Sequence, residues 1–452
     1  MIFSYIFILI SLSYVFNFSE KDFINEDIKR KIDISQSIIT IENEIKIRKN
    51  TNGDIYRYLV PKNNTSPLIR ITANTKKIKK LDIKKISSEN EYDIYEIQLQ
   101  GSLEFTVHED YFEKLEFKPK NIEIKEDQLE LFRDYINLLS AYTTKTQTTT
   151  VILPSDKTRL LKYTMRNSNK SGDKIIYSLT DEIAPYKTKN LYLHYENNEP
   201  LVVMNYAKKS FEVSHWGNIA VTEEYQIENI GAKLIGEFGR IDYDESGRRG
   251  GKNALKSLRA TLPLRSWGLW YRDEIGNIST SVAKREWNDV DLRLTPRFPI
   301  LGGWKSNFDI GYNLPTKFHV LKDNKGNYLL NLTFGMPYKH MLAKNYTVKV
   351  TLDNPENLKV ILPIDAKYEI SYGKEYGFLD LFGRKSIIIT LNNMYEAYNT
   401  NFYISYYYKR SVFFKLFILF FYFLVLFAIM IIYSRTNISL SRSDEEEKVK
   451  KD

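Results

Sequence analysis

The run from Leu416 to Tyr433 constrains this chain most, because it holds 18 consecutive residues without a charge. A helix rises 1.5 Å per residue, so the run would cover about 27 Å, close to the thickness of the hydrocarbon core of a bilayer. A helix at the surface of a soluble core would show a polar face, and this run has none. We therefore predict a transmembrane helix over residues 412–433, followed by a short cytosolic tail over residues 434–452.

The amino-terminal segment predicts which way the chain crosses the membrane. Residues 1–16 are almost wholly apolar and the first charge is Glu20, which is typical of a secretory signal peptide. The segment departs from the usual pattern because no Lys or Arg precedes its apolar core. An uncleaved anchor is the alternative, and the segment is short for a span. One signal and one late span give a single-pass type I topology with most of the chain in the lumen.

Between these two segments, alternating residues predict strands. Ile39, Ile41 and Ile45 alternate with polar residues, and the segment from Tyr346 to Leu352 repeats the pattern. The 33 Tyr and 25 Phe suit half-buried pleated surfaces. Long amphipathic crossover helices do not alternate with these strands, so a sandwich-like arrangement is favoured over a parallel sheet.

A weak sequence similarity between two segments of the chain, which we call the echo, predicts the domain organisation. The segments Ile39–Ile45 and Ile219–Tyr225 have the same alternating shape, with Glu223 as the exception on its apolar face. This predicts two tandem β-sandwich-like domains over residues 17–210 and 211–410. A minor helix is predicted over Asp127–Leu139, where apolar residues recur at helical spacing.

The net charge indicates which class of partner to expect, and the cysteine content shows whether disulfides can stabilise the fold. Lys and Arg number 65 and Asp and Glu 56, so the net charge of 65 − 56 = +9 is modest and spread along the chain. The densest basic stretch, Lys76–Lys80, fits an anionic partner, but Lys also protects exposed sheet edges. No nucleic-acid partner is expected. The chain has no cysteine, so the fold must be stabilised without disulfides.

Motifs for catalysis are weak throughout the sequence. The histidines lack metal-ligand spacing and have no cysteine to assist them, so no metal or cofactor is expected. Gly250-Gly251-Lys252-Asn253 lacks the spacing and hydroxyl of a phosphate-binding loop. Potential N-glycosylation acceptors are frequent, and the candidates are Asn63, Asn169, Asn277, Asn331 and Asn345.

Four motifs carry a resemblance to a known family. Ser214–Val221 reads S-H-W-G-N-I-A-V, and it is joined by Tyr271–Asn277, Pro296–Lys305 and Gly311–Pro315. Together they resemble the ribophorin I family, the large type I membrane subunit of the oligosaccharyltransferase of the endoplasmic reticulum. Further matching stretches from Thr144 to Arg384 follow in the family's order, so the resemblance covers nearly the whole chain.

The resemblance implies a non-catalytic structural subunit of that complex, which transfers a dolichol-linked glycan to Asn-x-Ser/Thr of nascent proteins. Catalysis is expected on a separate multispanning subunit. The implied partners are the catalytic and other subunits, the endoplasmic reticulum membrane and the nascent polypeptide. Asn277 falls where the family carries a glycosylation acceptor. The motif residues expected to be structural or to form an interface are Ser214, His215, Trp216, Gly217, Asn218 and Trp304.

We expect Trp216 and Trp304 to be buried, because neighbouring glycines permit close backbone approach. Animal members carry a cytosolic domain associated with ribosome contact, and residues 434–452 are too short to bury a core, so direct ribosome contact is doubtful. Lys448 and Lys450 fit a dilysine retrieval signal, with an ordinary charged terminus as the alternative. The alternative interpretation is that the chain is a lumenal cargo receptor or a glycan-binding membrane protein.

Overall fold

The computed structural model describes residues 22–239 and 253–436, apart from gaps at 52, 63–67, 90, 325, 354, 377–382 and 409–414, together with residues 241 and 243. The described chain is built mostly from strands and ends in an apolar helix, which confirms the predicted all-β fold with one carboxyl-terminal transmembrane candidate. The predicted signal peptide lies outside the described residues, as does the tail beyond residue 436.

The strands before residue 200 form the first half of the chain. They are β1 Phe23–Asp33, β2 Ile39–Lys49, β3 Ile55–Pro61, β4 Leu68–Asn74, β5 Ile83–Ser88, β6 Tyr92–Gln98, β7 Glu104–Tyr111, β8 Leu115–Phe117, β9 Asn121–Ile122, β10 Leu129–Tyr135, β11 Thr144–Ile152, β12 Leu160–Tyr163, β13 Ser168–Ser171, β14 Lys174–Leu179 and β15 Asn190–Glu196.

These strands make a seven-stranded sheet in the order β13-β14-β11-β1-β2-β7-β4, a three-stranded sheet β3-β6-β5 and a four-stranded sheet β12-β15-β10-β8. Ile28 of β1, Tyr58 of β3 and Phe132 of β10 belong to one buried cluster, so the three sheets share a core. Strand β2 shows why: its isoleucines alternate inward with outward Thr, Glu and Lys, which gives one apolar face.

The second half follows the same plan. Its strands are β16 Val202–Val213, β17 Asn218–Asn229, β18 Lys233–Leu234, β19 Leu258–Pro263, β20 Trp267–Asp273, β21 Val282–Arg285, β22 Asp289–Leu294, β23 Lys305–Pro315, β24 Val320–Lys322, β25 Asn327–Thr333, β26 Leu342–Leu352, β27 Glu356–Ile361, β28 Tyr368–Glu375, β29 Arg384–Met394 and β30 Asn401–Tyr407. Two short 3-10 turns, η1 Thr316–Phe318 and η2 Glu396–Tyr398, precede β24 and β30.

The two halves repeat one topology. The second seven-stranded sheet runs β28-β29-β26-β16-β17-β23-β20, beside the smaller sheets β19-β22-β21 and β27-β30-β25-β24. In each large sheet one pair is parallel, β1 with β11 and β16 with β26. The other five pairs of each are antiparallel. Strands β2 and β17, which carry the sequence echo, hold the same place in the two sheets.

The change from one set of sheets to the other falls between Glu196 and Val202, and Phe211 lies inside β16. The domain limits 17–210 and 211–410 stay a prediction.

The predicted helix over Asp127–Leu139 is wrong, because Leu129–Tyr135 forms strand β10. This strand lies between β8 and β15, and Glu130, Leu131 and Phe132 are all buried. A strand packed on both faces loses its simple alternation. Its apolar residues then fall at spacings that imitate a helix.

The halves are joined by main-chain and side-chain contacts. Strand β9 pairs in parallel with β18. Buried Gln128 accepts a hydrogen bond from the Ala232 N–H at 2.9 Å and donates one to the Asn197 carbonyl at 2.9 Å. Lys344 forms an ion pair with Glu113 at 2.7 Å. The halves are therefore joined by a strand pair, a main-chain hydrogen bond to a side chain and an ion pair.

The carboxyl-terminal helix α1 runs from Lys415 to Arg435. Its residues from Phe417 to Arg435 are apolar and numerous enough to cross a membrane. The described side chains of this helix pack against no core of the strand region, since nearly all of them are exposed. Six residues, 409–414, separate it from the last described residue of the strand region, Tyr408.

Candidate functional site

The motif Ser214–Asn218 builds the hairpin turn between β16 and β17. The Ser214 N–H donates to the Asn218 carbonyl at 2.9 Å, and the Ser214 Oγ accepts from the Trp216 N–H at 3.2 Å. Gly217 adopts φ +115°, which only glycine takes without strain. Its carbonyl accepts from the Thr316 N–H at 3.1 Å. The serine and glycine of the motif are therefore explained by the shape of the turn.

His215 attaches this turn to the end of β30. Its Nε2 lies 3.1 Å from the Tyr406 hydroxyl, and its ring centroid lies 4.1 Å from that of Tyr408. Tyr328 completes the aromatic surround at 5.2 Å. Burial lowers the pKa of His215, which favours the neutral ring at pH 7. His215 thus packs against tyrosines at the end of β30, the last of which, Tyr408, is the last described residue before α1.

Trp216 is exposed, so the expectation of a buried indole at this position is wrong. Its side chain is 63% accessible, because the turn directs the ring away from the sheet while His215 occupies the packed side. Other large apolar side chains are exposed at the same end of the second half. We call this group the aromatic tip, and its members are Trp216, Leu264, Trp267, Trp287, Phe318 and Leu321.

Pairing and contacts connect the members of the tip. Trp267 opposes Asn313 on β23, and the Asn313 Oδ1 accepts from the Asn218 side chain at 2.8 Å. The Arg265 guanidinium lies 3.7 Å from the centre of the Phe318 ring. Pro263, which precedes the Leu264–Arg265 turn, opposes Asp289. The β21–β22 turn that carries Trp287 therefore lies beside that turn.

A second group of motif residues lies at the other end of β23. The motifs Tyr271–Asn277 and Pro296–Lys305 meet in an ion pair between Asp273 and Arg297, with N···O 2.8 Å. The hydrogen bond from Arg297 holds the pKa of Asp273 down, at about 2. Asp273 also accepts the Gly276 N–H at 2.9 Å, which fixes the turn before Asn277. Beside this pair lies a shallow cavity of about 160 Å³.

Trp304 is half-buried at this end, between the rings of Phe238 and Phe298. The glycine at 302 explains part of the motif, because a Cβ there would lie 1.8 Å from the Ala232 carbonyl oxygen. Gly311 has a similar role in its own motif, since a Cβ there would lie 2.1 Å from the Trp270 indole. These glycines allow backbone and ring to approach the sheet closely.

Each half also encloses a buried ionic centre that the sequence interpretation did not identify. In the second half, Lys209 and Glu223 pair at 3.0 Å across neighbouring strands, and the hydroxyls of Tyr225 and Tyr312 donate to the same carboxylate. The sequence signal was the charge of Glu223 on an otherwise apolar face. Burial and that carboxylate raise the pKa of both tyrosines well above the usual value.

The first half carries the equivalent centre at the same strand positions. Arg30 opposes Asn43 as Lys209 opposes Glu223. The acids are Glu109, bonded to Tyr58 and Asn43, and Asp134. Burial acts to raise the pKa of Asp134, but Lys114 and Arg30 outweigh it, so the pKa is lowered. These groups are enclosed by the core and pair with one another, so they fit a structural role.

The candidate glycosylation acceptors differ in exposure. Asn169, Asn277 and Asn345 are exposed. Asn331 is only partly exposed, and its Oδ1 is buried. Asn63 lies outside the described residues, as do the retrieval candidates Lys448 and Lys450.

Among the described residues, no group of three or more His, Asp or Glu side chains is placed to hold a metal ion. The two motif surfaces at the ends of β23 are therefore the candidate sites in this part of the chain. Both are accessible: one presents exposed aromatic rings, and the other presents an ion pair beside a shallow cavity.

Comparison with known proteins bears on the identity of these motifs. A profile described as Ribophorin I matches residues 23–434. Subunit 1B of the dolichyl-diphosphooligosaccharide–protein glycosyltransferase of Arabidopsis thaliana is 34% identical over 65% of this chain and 63% of its own length. Subunit 1 of the same enzyme from Caenorhabditis elegans is 29% identical over 94% of this chain and 74% of its own.

The match to the plant relatives spans less than two thirds of their length. Subunit 1B of Oryza sativa subsp. japonica is 32% identical over 65% of this chain and 61% of its own length. Among solved structures, native yeast LTA4 hydrolase aligns with 42% of this chain and 31% of its own at 9% identity and a TM-score of 0.26. That likeness is too low to carry an argument.

Proposed function

Because the chain belongs to the ribophorin I family, we propose that it is a non-catalytic structural subunit of an oligosaccharyltransferase complex. In this role it supports the transfer of a dolichol-linked glycan to Asn-x-Ser/Thr of nascent proteins. The observation that carries the proposal is the family match over residues 23–434, which includes both motif surfaces. Its expected partners are the catalytic and other subunits of the complex.

The arrangement of charged groups supports the non-catalytic part of the proposal. General acid–base catalysis needs titratable groups within reach of a substrate. The ionic centres around Glu223 and Asp134 are enclosed by the core. The ion pair of Asp273 and Arg297 is accessible, but it fixes a turn and its carboxylate is strongly stabilised in the charged form.

For location, we propose a single-pass type I protein of the endoplasmic reticulum membrane, with the strand region in the lumen. The apolar helix α1 and the family support this arrangement. Exposed Asn169, Asn277 and Asn345 are the proposed glycan carriers, and Lys448 with Lys450 the proposed retrieval signal. The domain limits 17–210 and 211–410 complete the proposal.

The test is affinity purification of the full chain in mild detergent, followed by identification of the bound proteins. We expect a multispanning glycosyltransferase among them, and reduced glycan transfer when the chain is depleted. Recovery of secretory cargo without any glycosyltransferase would contradict the proposal and favour a cargo receptor. A matched control is the span and tail alone, fused to an unrelated lumenal reporter.

A further inference from the structure

We propose that the aromatic tip lies in the interface of the bilayer that α1 crosses, with Trp216, Trp267, Trp287 and Phe318 among the lipid headgroups. The proposal needs only that α1 spans a membrane. It does not rest on the proposed function. The occupant of this surface is then lipid, and a partner protein is the competing outcome of the test.

The first argument is covalent. His215 packs against Tyr408, the last described residue before α1. Seven residue steps lead from Tyr408 to Lys415, and an extended chain advances at most about 3.6 Å per step, so the two are within about 25 Å. The hairpin tip is therefore tethered close to the point where the chain enters the membrane.

The second argument is the position of the tip within its sheet. Strands β17, β20 and β23 all have an end here, with Asn218 opposite Pro315 and Trp267 opposite Asn313. Asp273 opposes Phe308 on β23, seven residue steps from Pro315. At about 3.4 Å per step this is roughly 24 Å. One motif surface is therefore held near the membrane anchor, and the other is held away from it.

The third argument is chemical. Exposed large apolar side chains grouped on one surface mark an interaction site. The exposed fractions are 63% for Trp216, 51% for Trp267 and 92% for Trp287. Tryptophan is enriched where a bilayer meets water, because its ring is apolar and its N–H is polar. A protein–water surface alone gives no reason for three of the chain's five tryptophans to be exposed together.

The charges around the tip also fit a lipid surface. Arg265 and Lys317 lie over the Phe318 ring, at 3.7 and 4.9 Å from its centre, and Lys322 lies 5.4 Å from the centre of Tyr328. Such side chains can place apolar stems among lipids while their charges reach phosphate. Acidic residues also lie near this rim, and they include Glu286, Asp289 and Asp323. Basic and aromatic residues together are typical of interfacial segments.

The absence of cysteine makes a direct test possible. Trp216→Cys and Phe318→Cys are made separately in the full chain, labelled with an environment-sensitive fluorophore, and reconstituted in phosphatidylcholine–phosphatidylserine vesicles. A nitroxide near the headgroup of a tracer lipid quenches only fluorophores at the interface. Ile275→Cys is the matched control, because Ile275 is 75% exposed but lies at the far end of β23. Unchanged urea unfolding verifies that each labelled chain is folded.

We expect several-fold stronger quenching at positions 216 and 318 than at position 275. Equal, weak quenching at all three positions would overturn the proposal. The same measurement on the purified complex distinguishes the competing occupant. If position 216 becomes shielded from water only in the complex, with no lipid quenching in either sample, the surface binds a protein and the proposal is wrong.

Discussion

The buried pair of Lys209 and Glu223 allows a quantitative prediction, because a partly exposed pair, Lys208 with Glu224, lies directly beside it on the same two strands. Lys209 and Glu223 side chains are 4% and 0% accessible, whereas Lys208 and Glu224, paired at 2.7 Å, are 24% and 39% accessible. The same kind of ion pair is thus present on the two faces of one sheet. Replacing either lysine by methionine removes the charge and keeps most of the apolar stem.

Lys209→Met leaves the Glu223 carboxylate in the core with hydrogen bonds from Tyr225 and Tyr312 but no cation. Removing one partner of a buried pair costs about 3–5 kcal/mol of unfolding free energy. Lys208→Met removes a partly solvated pair and should cost less than about 1 kcal/mol. The double variant with Glu223→Gln restores neutrality and keeps an acceptor for the tyrosines. It should therefore recover about 1–2 kcal/mol.

The assay is urea unfolding of the full chain in detergent micelles, followed by tryptophan fluorescence. All five tryptophans lie between residues 216 and 304, so the signal reports the second half. Equal losses for Lys209→Met and Lys208→Met would refute the reasoning, because burial would then make no difference to the pair. Failure of Glu223→Gln to improve Lys209→Met would show that the uncompensated charge is not the cause.

Three further predictions follow from other residues. Gly311→Ala should destabilise the second half by about 1–3 kcal/mol and shift tryptophan emission, because its Cβ would meet the Trp270 indole. The control Gly53→Ala, with 3.5 Å to its nearest neighbour, should do little when the urea unfolding of both variants is followed by circular dichroism. Burial raises the pKa of Glu130 to about 7, so the folded state binds a proton more tightly than the unfolded state does. The free energy of unfolding should therefore fall as the pH rises from about 4.3 to 7. Glu130→Gln should flatten this pH dependence in urea titrations followed by circular dichroism, and an unaltered slope would contradict the prediction. Asn169→Gln, Asn277→Gln and Asn345→Gln should each remove one endoglycosidase-sensitive mass increment in cells, while Asn331→Gln should not, and a lost increment at Asn331 would show that its partial burial is no barrier.

Residue patterns predicted those structural features that depend on the residues of a single strand or helix. The alternation at Ile39–Ile47 gave strand β2, and the apolar run gave α1. The echo between β2 and β17 predicted a repeat, but not the sheet order, because order depends on pairings between residues up to 139 positions apart, such as Val203 with Leu342. The helix predicted over the segment Leu129–Tyr135 was wrong because both faces of this strand are buried.

The motif at Ser214 shows a second property that the local sequence does not predict, which is the direction of a side chain. The glycine beside Trp216 indicated close approach of the backbone, and the structure places it in a tight turn with a positive φ. Whether the indole points inward or outward depends on which neighbour fills the space beneath the turn. That neighbour is His215, packed against tyrosines of β25 and β30 that are more than 100 residues away in sequence. Local sequence carries no signal for that choice.

The contact between the halves has a consequence for their symmetry. Strand β9 follows β8 in the first half, whereas its partner β18 follows β17 in the second, so the two copies use different patches. The ion pair of Glu113 and Lys344 is equally one-sided, since it joins the end of β7 to β26. Such a heterologous contact, unlike one around a two-fold axis, does not close on itself. The two halves therefore meet through surfaces that do not occupy equivalent positions in the repeat.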